Sequence, residues 1–589
     1  MFKSCSPYLK MFNGKGVNWH YSLTNELLNI AQEEDKLIFL HIGYISNINI
    51  RESSLELFAN QEVISLLNKN FICIIEDKED KPESFLLALD LLFLNQDFSY
   101  GPMNMFIMPN RRPLIAFSDC DPDNFLEIAN SLLLAKKEKR EKLKQLSEEL
   151  SKRAINTGII TDMKKDSVIE KPILEKYVQM WFKNMFDTDF IYKLKPFTPN
   201  PASLYTIIEY LRLYPDKRFS DKMEELLNHM QYSALFDVID GGFFRQAIDY
   251  SCNKALYEKS LEENSLFLML YSAAYKLYGN ESYKVTSLMT YNFILNELLN
   301  DKGALVNSTT LMGKIEDAVY YSYSVNELSI IFPERYSQIA IALGMDMTQN
   351  RMEKQTPVRG ADTYIYISEE DIDLLRQRRL EHRGYYKDTR VITASNSVTA
   401  TAFSIASIYL QDPSMYYQAT KIFEYLLFNN IDNSDGRLYR YTCCSDSYLI
   451  GYLSDYAHFI EASLELYKNR FDTEYLMIAK RYTEMVMERF YKPENGMFSK
   501  SERDFVSDTV PFKRESNIDF IRPSANSVMA GNLISLYEIT AEERYITIAK
   551  QQLNNIVPNL LNSGPMLSSW AHKILKYINI DINPLSKEN

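Results

Sequence analysis

From about Pro172 onward the chain is written in long helical periods broken by short glycine turns, and this repeat limits the fold more than any other feature. SLYTIIEYLRLY, EENSLFLMLYSAAYKLY, SVTATAFSIASIYL and DYAHFIEASLELY space their apolar residues three and four apart, which lays a stripe along a helix. Between such segments stand DGGFFR at Gly242, DKGALV at Gly303, HRGYYK at Gly384, DGRLYR at Gly436 and NGMFSK at Gly496. Each is a glycine with apolar or aromatic neighbours, ending one helix and opening the next segment. Their spacing is about two helices and their loops, so the pattern predicts a stack of helical hairpins. Roughly 400 residues hold six or seven hairpins; six closed in a ring give an (α/α)6 toroid, and an open solenoid shows the same period.

The first 130 residues have another texture. KLIFLHIGY reads as a buried strand, Leu37 to Ile42, running into a turn; a helical spacing of Leu55, Phe58, Val63, Leu66 and Leu67 follows, then a second apolar run from Phe71 to Ile75. MNMFIMP and RRPLIAF read as a strand pair turning at Pro109 to Arg112. Strand, loop, helix, strand is the order of a thioredoxin-like domain. There the loop carries C-x-x-C, because a helix N-terminus stabilises the attacking thiolate. GYISNINIRE, Gly43 to Glu52, holds no cysteine. The run KKEKREKLKQLSEELSKR is charged with little apolar stripe and reads as a solvated connecting helix. The expected division is residues 1–135, an α/β thioredoxin-like domain; 136–171, a charged helical connector; and 172–589, the all-α toroid.

A net charge of −13 over 589 residues argues against a general nucleic-acid or anionic-membrane binder, which needs a basic surface to release counterions. MFKSCSPYLKMF lacks the apolar core of a signal peptide, and no stretch reaches the length of a membrane-spanning helix, so the expected location is cytoplasmic. Cys5, Cys73, Cys120, Cys252, Cys443 and Cys444 are scattered without ligand-like spacing, so no metal is expected. Cys73 reads as a small buried hydrophobe, and Cys443 and Cys444 as exposed thiols in a polar turn.

SPYL at Ser6, VNWHYS at Val17, EEDKLIFLHIGY at Glu33, GPMNMFIMP at Gly101, GGFFR at Gly241, YEKSL at Tyr257, GYLSDYAHFIEASLELY at Gly451 and RPSANSV at Arg522 occur in this order. Through them the chain resembles, nearly end to end, the family of spermatogenesis-associated protein 20 and its bacterial relatives. That family joins a thioredoxin-like domain to a six-hairpin glycosidase-like domain. The resemblance implies that the two redox cysteines fall on Asn47 and Ile50, neither of which can form a thiolate. It implies that two family histidines are replaced by Phe244 and Leu256, and a tryptophan by Cys252. The acidic stretch expected after Gly303 is replaced by NSTTLMGK, and the SWNG motif survives as Ser395, Asn396 and Ser397.

A polar subset remains. Glycoside cleavage asks for two carboxyl groups across a cleft, one protonated and one ionised, and Asp249, Glu258, Asp388 and Asp455 are the candidate catalytic residues. Arg245, Arg390, Asn396, Tyr456, Ser524 and Asn526 are the candidate ligand-binding residues. His458 reads as a helix-surface residue, which disfavours two-histidine epimerase chemistry. The expected function is a redox-inactive thioredoxin-like domain with a carbohydrate-type cleft, binding or weakly catalytic. The alternative is a non-catalytic interaction scaffold. No cofactor is expected; a sugar-like small molecule is the expected ligand, with a protein partner under the scaffold reading.

Overall fold

The computed structural model describes residues 4–94, 101–156, 160, 163–164, 167–186, 196–312, 319–359, 367–381, 384–443, 449–502, 515, 517–519 and 522–580. The chain forms two compact units. Unit one is Met1–Thr161 with Cys443–Leu449 and Ser499–Ser516; unit two is the remainder.

Unit one holds a five-stranded sheet: β1 (Trp19–His20), β2 (Leu37–Gly43), β3 (Phe71–Asp77), β4 (Met103–Ile107) and β5 (Pro113–Phe117). Its order is β1-β3-β2-β4-β5, with β1 and β2 parallel to β3, and β4 and β5 antiparallel to their neighbours. This is the thioredoxin-like arrangement. β2 and β3 are buried along their whole length, as continuous apolar strands covered on both faces should be. Gly43 ends β2 under the ring of Tyr8, and a Cβ there would meet Tyr8 Cζ at 2.2 Å, so only glycine permits the approach.

The charged run expected as a solvated connector is instead helix Arg140–Asn156, packed on helix Pro82–Leu94 and β5. Leu143, Leu150 and Ala154 are its buried apolar residues, joined by the buried Ser147 and Ser151, a stripe thin enough to be hidden among the charges. Cys5 and Cys443 are joined as a disulfide within unit one, with Cα atoms 6.4 Å apart, in place of an exposed thiol at Cys443; Cys444 lies outside the described residues. A separation of 438 residues leaves no spacing signal.

Unit two is the toroid. Six inner helices, Pro201–Leu213, Leu261–Tyr278, Thr393–Tyr409, Leu453–Arg470, Ala525–Thr540 and Ser568–Ile578, pack each against the next, and the last packs on the first. Closure of that ring excludes the open solenoid. Five outer helices follow their inner partners along the chain: Lys217–Gln231, Glu281–Phe293, Pro413–Asn429, Thr473–Arg489 and Glu543–Leu560. The sixth outer helix, Lys171–Met185, precedes the ring and packs on the last inner helix.

The glycine turns join outer helices to inner ones. Gly242, Gly303, Gly436 and Gly496 have φ of +77°, +81°, +75° and +71°, values that favour glycine. Each turn closes a bridge across itself: Phe236 with Phe243, Leu299 with Leu305, Ile431 with Leu438, and Tyr491 with Phe498. Gly384 is different; it opens the strand Tyr385–Asp388, after an excursion whose helices Val325–Ile331, Tyr336–Ala342 and Glu369–Glu381 share a small core. Among the described residues no helix is long and apolar enough to cross a membrane.

Candidate functional site at the helix entrances of the toroid

A three-stranded sheet sets the candidate residues. Its strands are β6 (Glu258–Ser260), β7 (Ser308–Leu311) and β8 (Tyr385–Asp388), with β7 in the middle. The register pairs Glu258 with Thr310 and Tyr386, and Ser260 with Ser308 and Asp388. Because side chains alternate, Glu258, Ser260, Ser308, Thr310 and Asp388 share one face. Lys259, Thr309 and Tyr385 occupy the other.

On the first face every charge has a partner. Arg245 Nη1 lies 2.5 Å from Glu258 Oε1, and its Nε lies 2.7 Å from Glu263 Oε2. Asp388 accepts from Arg390 Nη2 at 2.7 Å and from Asn307 Nδ2 at 2.9 Å. Farther around the ring, Asp455 accepts from Arg440 Nη1 at 2.8 Å and from the amides of Ala394 and Tyr452. All seven of these charged side chains are buried except for traces of exposure. Asp249 is not among them: it is half-exposed, and its Oδ1 accepts from the Ser251 amide and hydroxyl in a turn.

Two hydroxyls of the same face are orphaned. Ser308 Oγ and Thr310 Oγ1 are buried with no hydrogen-bond partner among the described residues. They belong to NSTTLMGK, the segment that stands where the family resemblance led us to expect acids.

On the second face Lys259 donates to Asp237 and to the Gly241 carbonyl, both at 2.7 Å, while Arg379 Nη1 lies 2.8 Å from Asp237. Burial alone would raise the Asp237 carboxyl; Arg379 and Lys259 hold it well below the usual range. The narrow crevice here is lined by Asp240, Lys259, Phe293, Glu297, Tyr320 and Tyr321. Phe244 and Tyr257 pack on Tyr321 at centroid distances of 4.9 and 5.2 Å, and Leu256 is also buried.

Three candidate ligand contacts prove to be latches. Asn396 Oδ1 accepts from Leu305 N at 3.1 Å and its Nδ2 donates to Leu305 O at 2.9 Å. Asn526 does the same to Phe498, and Asn264, which the sequence did not single out, does it to Phe243. At the fourth turn Leu438 N donates to the Tyr456 hydroxyl at 3.1 Å. Four of the six inner helices thus grip, from the first turn, a residue just after a glycine turn.

Ser524 is the N-cap residue of helix Ala525–Thr540. Its amide donates to Asp519 Oδ1 at 2.8 Å, while its Oγ is buried without a partner among the described residues. Burial pushes the Asp519 carboxyl up to about 6, partly countered by hydrogen bonds from the Ser569 hydroxyl and amide and from the Ser524 amide.

Sequence reading missed two further groups. Glu262, on the first turn of helix Leu261–Tyr278, reaches Arg522 Nη2 at 2.8 Å and Ser395 Oγ at 3.2 Å, so three inner-helix entrances meet there. His458 is 1% exposed, not a surface residue: its Nδ1 lies 3.2 Å from Glu461, which also faces Lys573 at 3.5 Å. Against the upward effect of burial, Lys573 and His458 hold the Glu461 carboxyl down to about 2. Three-residue spacing to a helix-start aspartate looks the same on either face, so no sequence signal separated the cases.

In unit one, the degenerate redox positions are both buried. Asn47 is the N-cap of helix Ile48–Leu57, its Oδ1 accepting from the Ile50 amide at 3.0 Å. Beneath the loop, His41 Nδ1 donates to Asn104 Oδ1 and its Nε2 accepts from the Tyr8 hydroxyl, both at 2.7 Å.

Fold and site together define a two-unit protein, a thioredoxin-like unit and a six-hairpin glycosidase-like toroid. A family model described as Thioredox_DsbH, protein of unknown function DUF255, matches residues 1–155. Spermatogenesis-associated protein 20 of Mus musculus is 23% identical over 92% of this chain and 76% of its own length. The Homo sapiens protein of that name gives the same 23%, 92% and 76%. An uncharacterized Caenorhabditis elegans protein is 21% identical over 96% and 85%. The chain belongs to the spermatogenesis-associated protein 20-like family. Among solved structures, a D-mannose isomerase is similar at TM-score 0.43 and 11% identity, covering 67% of this chain and 87% of that one. A cellobiose 2-epimerase from Bacillus thermoamylovorans gives 0.43 and 11%, covering 65% and 85%.

Proposed function

We propose that this protein binds and does not hydrolyse: a thioredoxin-like unit without thiol exchange, joined to a toroid whose helix entrances hold a neutral, hydroxyl-rich, carbohydrate-type ligand. One observation carries the reading, the arginine that closes each buried candidate carboxylate, Arg245 on Glu258, Arg390 on Asp388 and Arg440 on Asp455. Glycoside cleavage needs a protonated carboxyl to deliver a proton and a second carboxylate free to attack or to activate water. A carboxylate whose oxygens are engaged by a guanidinium in a buried ion pair is not free to attack, to activate water or to hand over a proton. Neutralised charge beside the orphaned Ser308 and Thr310 hydroxyls favours recognition of a neutral ligand by hydrogen bonds.

Thiol exchange needs an attacking thiolate, and the loop supplies an amide cap at Asn47 and an apolar residue at Ile50. Cys73, in β3, is buried and burial raises its thiol pKa. A second reading, the interaction scaffold, is favoured by the aromatic packing of Phe244, Tyr257 and Tyr321.

The test is a thermal-shift and hydrolysis series with mannose, cellobiose, inositol, sugar phosphates and aryl glycosides. Saturable stabilisation by a neutral sugar without turnover is the expected result, since a ligand of the folded state stabilises by mass action. Turnover abolished by Glu258→Gln overturns the non-hydrolytic reading. Absence of any stabilisation leaves the scaffold. Disulfide reductase activity that disappears on Cys73→Ser overturns the redox-inactive assignment.

A further inference from the structure

We infer that Glu262, Arg522 and Ser524 form a diol-recognition site at the entrance of the toroid, with Ser395 positioning the carboxylate. The inference rests on the reading of the toroid as a carbohydrate-type binding unit and adds the residues and the chemical group they take.

Three entrances contribute. Glu262 is the second residue of helix Leu261–Tyr278, Ser395 the third of helix Thr393–Tyr409, and Ser524 the N-cap residue of helix Ala525–Thr540, two residues beyond Arg522. The Ser395 hydroxyl donates to Glu262 Oε2 at 3.2 Å, and Arg522 Nη2 reaches the same oxygen at 2.8 Å. With Oε2 doubly engaged, the carboxylate is fixed in orientation. Its other oxygen, Oε1, is buried and has no hydrogen-bond partner among the described residues. Ser524 Oγ is in the same condition, and both residues are more than nine-tenths buried.

Buried polar atoms without partners are rare in folded proteins, because an unmade hydrogen bond leaves its desolvation cost uncompensated. Two of them at one ring of helix entrances point to an occupant. Arg522, in contrast, keeps 24% of its side-chain surface exposed and offers guanidinium protons to the outside.

Charge selects the ligand. Glu262 and Arg522 cancel, so the site has no net charge to offer an ion: an ammonium meets the guanidinium and a phosphate meets the carboxylate. A vicinal diol suits both groups, one hydroxyl donating to Glu262 Oε1 and its neighbour accepting from Arg522, with the Ser524 hydroxyl free to give or take a third bond.

The experiment is saturation-transfer NMR and titration calorimetry on the full chain with mannose and glucose as neutral probes, and glucosamine and glucose 6-phosphate as charged ones. Wild type, Ser524→Ala and Glu262→Gln are compared, with melting temperatures recorded in buffer alone. The expected result is binding of the neutral sugars at least fivefold tighter than of the charged ones. Ser524→Ala, which removes a hydroxyl without a hydrogen-bond partner among the described residues, should melt at or above the wild-type temperature yet bind at least fivefold more weakly. Glu262→Gln should also weaken binding. If wild type binds neither neutral sugar, the parent reading falls and this site with it. If sugars bind and both variants retain affinity within twofold, the site is wrong while the parent reading stands. A drop of several degrees in the melting temperature of Ser524→Ala shows that its hydroxyl serves an ordered water in the free protein, which overturns the assignment independently of Glu262→Gln.

Discussion

Asn396 separates a latch from a ligand contact. Its side chain satisfies both backbone groups of Leu305, at 3.1 and 2.9 Å, and also donates to the Ile392 carbonyl at 3.1 Å. Leu305 is fully buried, so water cannot replace what Asn396→Ala removes. Stranding a buried donor and a buried acceptor costs about 1–3 kcal/mol each, and the better helix propensity of alanine returns only about 0.5 kcal/mol, so the variant should lose roughly 3–4 kcal/mol. The assay is urea unfolding followed by far-UV circular dichroism, fitted to the toroid's own transition because a two-unit chain need not unfold in one step. Hydrogen exchange at the Leu305 amide is the local readout, and protection there should collapse. A loss under 1 kcal/mol with the Leu305 amide still protected refutes the latch. A variant of unchanged stability that fails to respond to ligand would return Asn396 to the binding site.

Arg245→Met should destabilise the toroid by about 3–5 kcal/mol, because Glu258 and Glu263 lose a buried counter-charge, and adding Glu258→Gln should restore part of that in a double-mutant cycle. Unit one should lose stability in acid: burial lowers the His41 pKa from 6.5 to about 4, so between those values the unfolded chain takes up a proton that the folded one does not. At 1.36 kcal/mol per pH unit the loss is roughly 3 kcal/mol, complete near pH 4, and a pH-dependent melt lacking this slope would contradict it. Asn47→Ala should cost unit one about 1 kcal/mol through the lost N-cap bond to Ile50, measured by its urea midpoint. Asn47→Cys with Ile50→Cys should place two cysteines at the start of helix Ile48–Leu57 and confer dithiothreitol-dependent insulin reduction that the parent chain lacks.

Much of this architecture was legible because it is periodic. Apolar residues three and four apart and a glycine needing positive φ are local requirements, so Gly242, Gly303, Gly436 and Gly496 marked real joints. Gly384 looked alike and was not one, since a glycine can open a strand as readily as end a helix. Helix Arg140–Asn156 was misread because burying Leu143, Leu150 and Ala154 takes one apolar residue every turn or two, within a run otherwise charged. The candidate site was legible in its members and not in their roles. Glu258 and Arg245 are thirteen positions apart yet in contact, and Arg390 lies two from Asp388, but sequence does not say whether a carboxylate faces a ligand or its own arginine. Asn396 and Asn526 stood out as polar residues at helix starts, where capping, latching and binding all favour the same side chain. Glu262 was passed over because glutamate in a first helical turn is what the helix dipole favours anyway.

The sixth helical pair is assembled from segments far apart in the chain. Lys171–Met185 supplies its outer member and Ser568–Ile578 its inner one, tied by Tyr177 to the Gly564 carbonyl at 3.0 Å and, beside them, by Thr206 to the Ser568 carbonyl at 3.2 Å across 362 residues. During synthesis five pairs can form in succession from neighbouring segments, each fastened to the next, while the ring remains an open arc. The seam shuts only when Ser568–Ile578 emerges from the ribosome. Until then the polar faces that meet at the axis have no sixth wall, so a nascent toroid carries its helix entrances without their final enclosure, and the last step of folding is also the step that completes the site.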